Sequence, residues 1–171
     1  MRQVHLEVRT LIFDDINSLN LLVNELQTYV THFPLSQKLN ERQEVVLRTE
    51  LSQFLNSWES HGIPLKSYGL ITFKQIITVA IVEQYTPAGG CAKDNLSRFV
   101  TSWCTKQGLC ISSRALLPLI SKNYMQFVPL KELKNFSPDD LIIDLSCYTW
   151  RDFYQNFMKP LKATVYFQFL K

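Results

Sequence analysis

Apolar residues change their spacing several times along this chain, and each change marks an element. Val4, Leu6 and Val8 alternate with polar neighbours and Leu11 to Phe13 stay apolar, which predicts an opening strand. Asn17 or Ser18 then caps a helix carrying Leu19, Leu22, Val23, Leu26, Tyr29 and Val30 on one face. His32-Phe33-Pro34 ends it, because proline disfavours helical backbone in the residue before it. A second helix opens at Asn40, with Gln43 as its capping-box partner, and runs through Leu47, Leu51, Phe54, Leu55 and Trp58. Gly62 supplies a left-handed cap and Pro64 blocks resumption, so His61 falls in the helix's last turn.

From Tyr68 to Tyr85 the chain turns β-branched and aromatic. Two strands with a tight turn near Lys74-Gln75 fit this stretch. Ile76 to Val82 is almost continuously apolar, the pattern of a central strand covered on both faces. After the Pro87-Ala88-Gly89-Gly90 loop, Leu96, Phe99, Val100 and Trp103 return to helical spacing, and Gly108 ends that helix. Leu116–Ile120 and Met125–Val128 flank a hairpin turn at Ser121-Lys122-Asn123, with Pro118 assigning the first strand to an edge. A short helix from Ser113 competes with that strand.

Leu130 to Asn135 reads as one or two helical turns, and Leu141 to Leu145 as a strand. A short helix carries Trp150, Phe153, Tyr154 and Phe157 and stops at Pro160, while Thr164 to Leu170 fits strand or helix equally. Hairpins mix with helices without regular β-α-β alternation. The predicted fold class is therefore α+β, a single domain over residues 1–171 with a mainly antiparallel sheet packed against several helices.

Composition narrows the function classes. The net charge is only +3 and the Lys and Arg residues are scattered, so nothing resembles a phosphate-tracking basic stripe and no nucleic-acid partner is expected. No apolar run reaches the ~20 residues of a membrane helix, and the first residues lack a signal-peptide core, so no membrane association is expected. The cysteines, Cys91, Cys104, Cys110 and Cys147, form no CxxC pair, and only three histidines accompany them. No metal site or cofactor is expected from that spacing, and free thiols in a cytoplasmic setting are the simplest reading.

The candidate chemistry sits at two breaks, His61-Gly62-Ile63-Pro64-Leu65-Lys66 and Gly89-Gly90-Cys91-Ala92-Lys93-Asp94. A thiol at a helix N-terminus feels the positive end of the macrodipole, which favours thiolate. Gly89 and Gly90 let backbone N–H groups approach a ligand, and Lys66 can hold an anion. His61 can act as a base toward Cys91, with Asp94 as orienter or cap. Each residue also has a plain structural explanation. Gly-Gly makes a turn, Cys91 packs as a small hydrophobe, Asp94 caps its helix and opposes a thiolate, and His61 complements a helix C-terminus. Glu83 closes a buried strand, and Asp139-Asp140 reads as a loop and cap pair with no third acidic ligand.

The run Trp58-Glu59-Ser60-His61-Gly62-Ile63-Pro64-Leu65-Lys66, followed by Gly90-Cys91-Ala92-Lys93-Asp94, resembles a family of short uncharacterised bacterial proteins best represented in the Bacteroidetes. Those proteins show a W-x-S-H-G-x-P-L-K-like stretch, a hairpin, then G-C-x-x-D opening a helix. Val128-Pro129-Leu130-Lys131-Glu132-Leu133 is similar to their V-P-L-x-E-L segment, and Asn156, Pro160 and Lys162 fall on their N-x-x-x-P-x-K pattern. The likeness spans residues 50 to 170 and leaves the first fifty unmatched. It implies a shared corner of His61, Cys91 and Asp94 and brings no activity. Some members carry the label "ABC transporter ATPase", yet no G-x-x-x-x-G-K-[ST] phosphate loop occurs in this chain.

Three functions follow from these residues. One is a small binding or interaction domain whose pocket, at the 61–66 and 89–94 loops, takes a small anionic ligand or a protein partner. Another is a thiol enzyme using Cys91 with His61. The third is a structural protein, including a homo-oligomer.

Overall fold

A computed structural model describes residues 12–13, 16–20, 22–23, 27–83 and 86–170. The fold is α+β with mostly antiparallel sheets and several helices. The described residues open with β1 (Ile12–Phe13), α1 (Ile16–Asn20), β2 (Thr28–Pro34) and α2 (Glu41–Ser57). A small hairpin, β3 (Glu59–Ser60) and β4 (Ile63–Pro64), leads to β5 (Lys66–Thr72), β6 (Ile76–Val82) and α3 (Gly90–Lys106). Then come β7 (Leu116–Ser121), β8 (Tyr124–Pro129), a 3-10 turn at Leu130–Asn135, β9 (Leu141–Ile143), α4 (Trp150–Asn156) and β10 (Met158–Pro160). Two 3-10 turns, Leu161–Ala163 and Val165–Leu170, follow.

The first sheet runs β1-β5-β6-β2 and the second β10-β9-β7-β8. Among the described residues only the β1–β5 pair is parallel. All seven residues of β6 are buried, as its unbroken apolar run requires. The alternation of side chains sorts two cores. Phe33, Ile71, Ile77, Val79 and Ile81 pack with Leu47, Leu51 and Leu55 of α2 and with Leu96, Val100 and Trp103 of α3. Val30, Tyr68, Leu70, Ile76 and Ala80 face the other way, onto Trp150 and Phe153 of α4 and Met125 and Ile143 of the second sheet. Gly69 allows close approach: a β-carbon there would meet the terminal methyl of Ile12, which would have to shift, and press on Leu51 at 3.3 Å.

Helix α2 starts with both capping-box bonds, Gln43 N–H to Asn40 Oδ1 at 2.8 Å and Asn40 N–H to Gln43 Oε1 at 3.0 Å. Helix α3 ends as its pattern predicts, with Gly108 at φ 68° beyond it. The two predicted hairpins form, with left-handed Phe73-Lys74 and Lys122-Asn123 at their turns. The first turn therefore centres one residue before the Lys74-Gln75 expected from sequence.

Several expectations are corrected. The helix predicted through Tyr29 and Val30 ends at Asn20, and Thr28–Pro34 is strand. Seven residue pairs with β6 outweigh a fortuitous helical spacing there, and Leu26 lies outside the described residues. The proposed strand at Val4 to Val8 also lies outside them, although Ile12 and Phe13 are strand. Gly62 does not cap α2: the helix ends at Ser57, Trp58 is extended, and His61-Gly62 forms the β3–β4 turn at φ 53° and 77°. Strand β7 is internal, yet its pairing with β9 covers only Leu119 and Ile120, so the ladder on that side stops short of Pro118. Ser113 opens a turn, not a helix, with Leu116 N–H bonded to Ser113 C=O at 3.1 Å. Pro160 lies within β10 and does not stop α4, which has already ended at Asn156. The Thr164–Leu170 tail forms a 3-10 turn over Val165–Leu170.

Candidate functional site

The two breaks singled out from sequence do meet. Trp58, buried as it leaves α2, donates its indole N–H to Ala92 C=O at 3.1 Å and ties the hairpin to α3. Ser60 is buried beside it, and its Oγ accepts the Gly89 N–H at 3.1 Å. His61 occupies the turn with its ring against Gly89, its Nε2 3.2 Å from where a β-carbon would stand. Gly89 has ordinary extended backbone, φ −61° and ψ 166°, so closeness to His61 is what favours glycine. Gly90 has no such neighbour within 4 Å.

Much of this corner's bonding capacity is used internally. Glu83 Oε1 accepts the Ala88 N–H at 3.1 Å and lies 3.9 Å from Lys93 Nζ. Ser60 holds the Gly89 N–H, and Gly89 C=O receives the Lys93 N–H at 3.1 Å. Asp94 does not cap α3: the cap residue is Gly89, and no side-chain cap bond forms. Cys91 and Asp94 are exposed on the first turns of α3, and Lys66 is exposed at the start of β5 opposite Val82. No hydrogen bond joins His61 to Cys91 among the described residues. Glu83 thus braces the loop before α3, and Asp139 and Asp140 are absorbed by Lys162 at 2.5 Å and the Ser137 N–H at 2.9 Å. Among the described residues no group of three His, Cys, Asp or Glu could hold a metal. All four cysteines are free. Burial pushes the Cys104 and Cys147 thiols up to about 11, which keeps both protonated.

A second constellation went unseen in the sequence. It lies along the outer edge of β2 and centres on His32. The His32 ring spans 2.9 Å contacts to Thr78 Oγ1 through Nδ1 and to Cys147 C=O through Nε2. A carbonyl only accepts, so Nε2 carries the proton and Nδ1 accepts from the Thr78 hydroxyl. Phe157 stacks on the ring at 5.4 Å and Phe153 lies 5.2 Å away. Burial pushes the imidazole down to about 4, against smaller opposing pulls from the Cys147 carbonyl and Asp144.

The outer edge of β2 is closed at both ends by other segments. At one end Val30 N–H donates to Tyr148 C=O at 2.9 Å; at the other, Ser112 N–H donates to Pro34 C=O at 2.7 Å and Ser36 N–H to Cys110 C=O at 2.8 Å. Backbone groups alternate in direction along an antiparallel strand, so even-numbered residues of β2 point theirs outward. Between the closures, the Val30 C=O and the His32 N–H and C=O have no partner among the described residues. Of these residues His32 lines a cleft of about 300 Å³ between the two sheets, whose lining includes Arg114, Leu117, Ile143, Asp144, Tyr148 and Tyr166. Thr31 and Tyr148 also line an adjoining cleft of about 220 Å³ that reaches Lys93 and Leu96 on α3.

Asp144 in the main cleft is neutralised. Burial alone raises its pKa, but hydrogen bonds from Lys159 at 2.6 Å and from Ser146 outweigh this and hold the carboxyl below the usual range. Little in the sequence warns of this site, because its residues come from β2, the turn before β7, β7 itself, β9, the loop after it and the last turn. His32 is the available signal, and reading His32-Phe33-Pro34 as the end of a helix conceals it.

No family model, curated protein or solved structure matches the chain. Among the described residues no helix is long and apolar enough to cross a membrane.

Proposed function

We propose that the protein is a binding domain for a small molecule, seated in the inter-sheet cleft beside His32. The observation that carries this reading is the main-chain N–H and C=O of His32, without a partner among the described residues, beside a cleft of about 300 Å³ that His32 lines. Backbone donors and acceptors left without protein partners need water or a ligand, and a cleft that sets polar groups beside apolar wall suits a ligand. The opening between the two closures is too short to admit a strand of ordinary length, so a compact molecule is the natural occupant. Soaking crystals in a mixture of small fragments tests the reading. Ordered density bonded to the His32 main chain is expected, and fragments bound only at other sites would overturn it.

A second reading keeps the chemistry at the corner, with Cys91 as a reactive thiol and His61 as its base. It is favoured by the His61 ring lying against Gly89, two residues before an exposed Cys91. Gly89, Gly90 and Lys66 would then serve an anionic substrate. Alkylation by iodoacetamide across pH decides it. A Cys91 rate that rises near ~8.5, as for a free thiol, and is unchanged in His61→Gln removes the reading. The likeness to the W-x-S-H-G-x-P-L-K proteins adds to our proposal only that such a corner is shared.

A further inference from the structure

We propose that the cleft beside His32 is selective for a carboxylate attached to a compact apolar body. This inference rests on the cleft being the binding site and specifies what it takes. Among the described residues two charged side chains line it, Arg114 and Asp144. Asp144 is already bound to Lys159 at 2.6 Å and to the Ser146 N–H at 3.0 Å. Arg114 is exposed on the lip, in the turn closed by Leu116 N–H and Ser113 C=O, and forms no ion pair among the described residues. The uncompensated charge of the cleft is therefore a guanidinium, whose planar fork of donors matches a carboxylate.

The main chain adds a second donor. The His32 N–H opens into the same cleft and an anionic oxygen satisfies it better than a neutral one. The His32 ring contributes no competing charge, since its two nitrogens are engaged by Thr78 and Cys147 as a neutral imidazole. The rest of the lining offers an apolar stretch, Leu117, Pro118, Ile143 and Leu145, with the rings of Tyr148 and Tyr166 and the hydroxyls of Thr31, Ser113 and Ser146. A ligand that is charged at one end and aliphatic or aromatic at the other fits this division. An amine would meet Arg114 with like charge, and a phosphate dianion would bring two charges to one cation.

The test compares 3-phenylpropionate with its uncharged amide, 3-phenylpropanamide, in an amide-resolved NMR titration of the whole chain. We expect the carboxylate to shift the Thr31, His32, Arg114 and Tyr148 signals and to bind about tenfold tighter than the amide at low salt. Arg114→Gln, on the surface and outside both cores, should erase that preference while the spectrum stays dispersed. An amide that binds the cleft as tightly as the acid overturns the carboxylate selectivity and leaves the cleft as a binding site. A preference that survives Arg114→Gln overturns the assignment to that residue. Absence of shifts at Thr31, His32 and Tyr148 with either probe overturns both the selectivity and the cleft reading.

Discussion

Two histidines define two regions of this molecule, and they have opposite characters. His61 stands on a surface turn and leans on Gly89, at a corner where Ser60, Glu83 and Trp58 have used many of the local bonding groups. His32 is half-buried against Phe153 and Phe157 with both ring nitrogens engaged, yet its own backbone faces an opening with no partner among the described residues. A conspicuous motif therefore marks a joint, while an inconspicuous strand residue marks an opening. Residue type at an element end is weak evidence for a site, because the same glycines, serines and histidines also build tight packing contacts. Unspent hydrogen-bonding capacity beside a cleft is stronger evidence.

The contrast can be broken most severely at His32. Replacing it by Ala leaves a cavity among Phe153, Phe157 and the sheet and strands the Cys147 carbonyl. It should cost about 3 kcal/mol in urea denaturation. His61→Ala should stay within about 1 kcal/mol, as for an exposed turn residue. Comparable losses at the two positions would refute the division into buried brace and surface joint.

Acid should expose the same difference without mutation. His32 titrates near 6.5 when unfolded and at about 4 when folded, so between these values the unfolded chain binds the proton and the folded chain does not. Stability therefore rises with pH across this window, and it is lost as pH falls from about 6.5 toward 4, by about 3 kcal/mol at the lower end. Asp144, held low in the fold, loses its contribution in the same direction at lower pH. Urea midpoints measured from pH 7 to pH 4 should show the slope in the native protein and lose most of it in His32→Gln. An unchanged slope in the variant would assign the acid sensitivity elsewhere.

At the corner the effects are smaller. Ser60→Ala removes the acceptor of the Gly89 N–H in a buried spot and should cost about 1 kcal/mol by thermal or urea unfolding. Gly89→Ala brings a β-carbon to 3.2 Å from His61 Nε2 and should cost about as much. Part of that cost should vanish in the His61→Ala background, a coupling that a double-mutant cycle measures directly. Least of all, Lys93→Ala breaks a 3.9 Å pair with Glu83 at a half-exposed ammonium and should change stability by no more than about 0.5 kcal/mol.

Much of the fold was legible where local signals agreed. Asn40 with Gln43, the stripe of Leu47, Leu51 and Leu55, and the run from Ile76 to Val82 each carry cap, period and composition pointing one way. The 17–30 stretch misled because Leu19, Tyr29 and Val30 happen to fall at helical spacing, while the pairing that decides the matter comes from β6, fifty residues along. His61-Gly62 looks the same from sequence as a helix cap or a hairpin turn, since both need left-handed backbone. That the two breaks adjoin was legible only as a question, and the Ser60–Gly89 bond answers it. The cleft was not legible at all, because its walls run from Thr31 to Tyr166 and acquire meaning only when both sheets are assembled.

The two closures on the outer edge of β2 also bear on how the chain folds. Tyr29 pairs with Thr149 and Leu35 with Ile111, contacts made across long stretches of sequence. The inner ladder of β2, β5 and β6 can form from residues 28–82 alone, while its outer edge waits for segments made much later. An unpaired strand edge is a template for mispairing, so covering the outer edge of β2 depends on segments that lie 76 and 120 residues further along the chain.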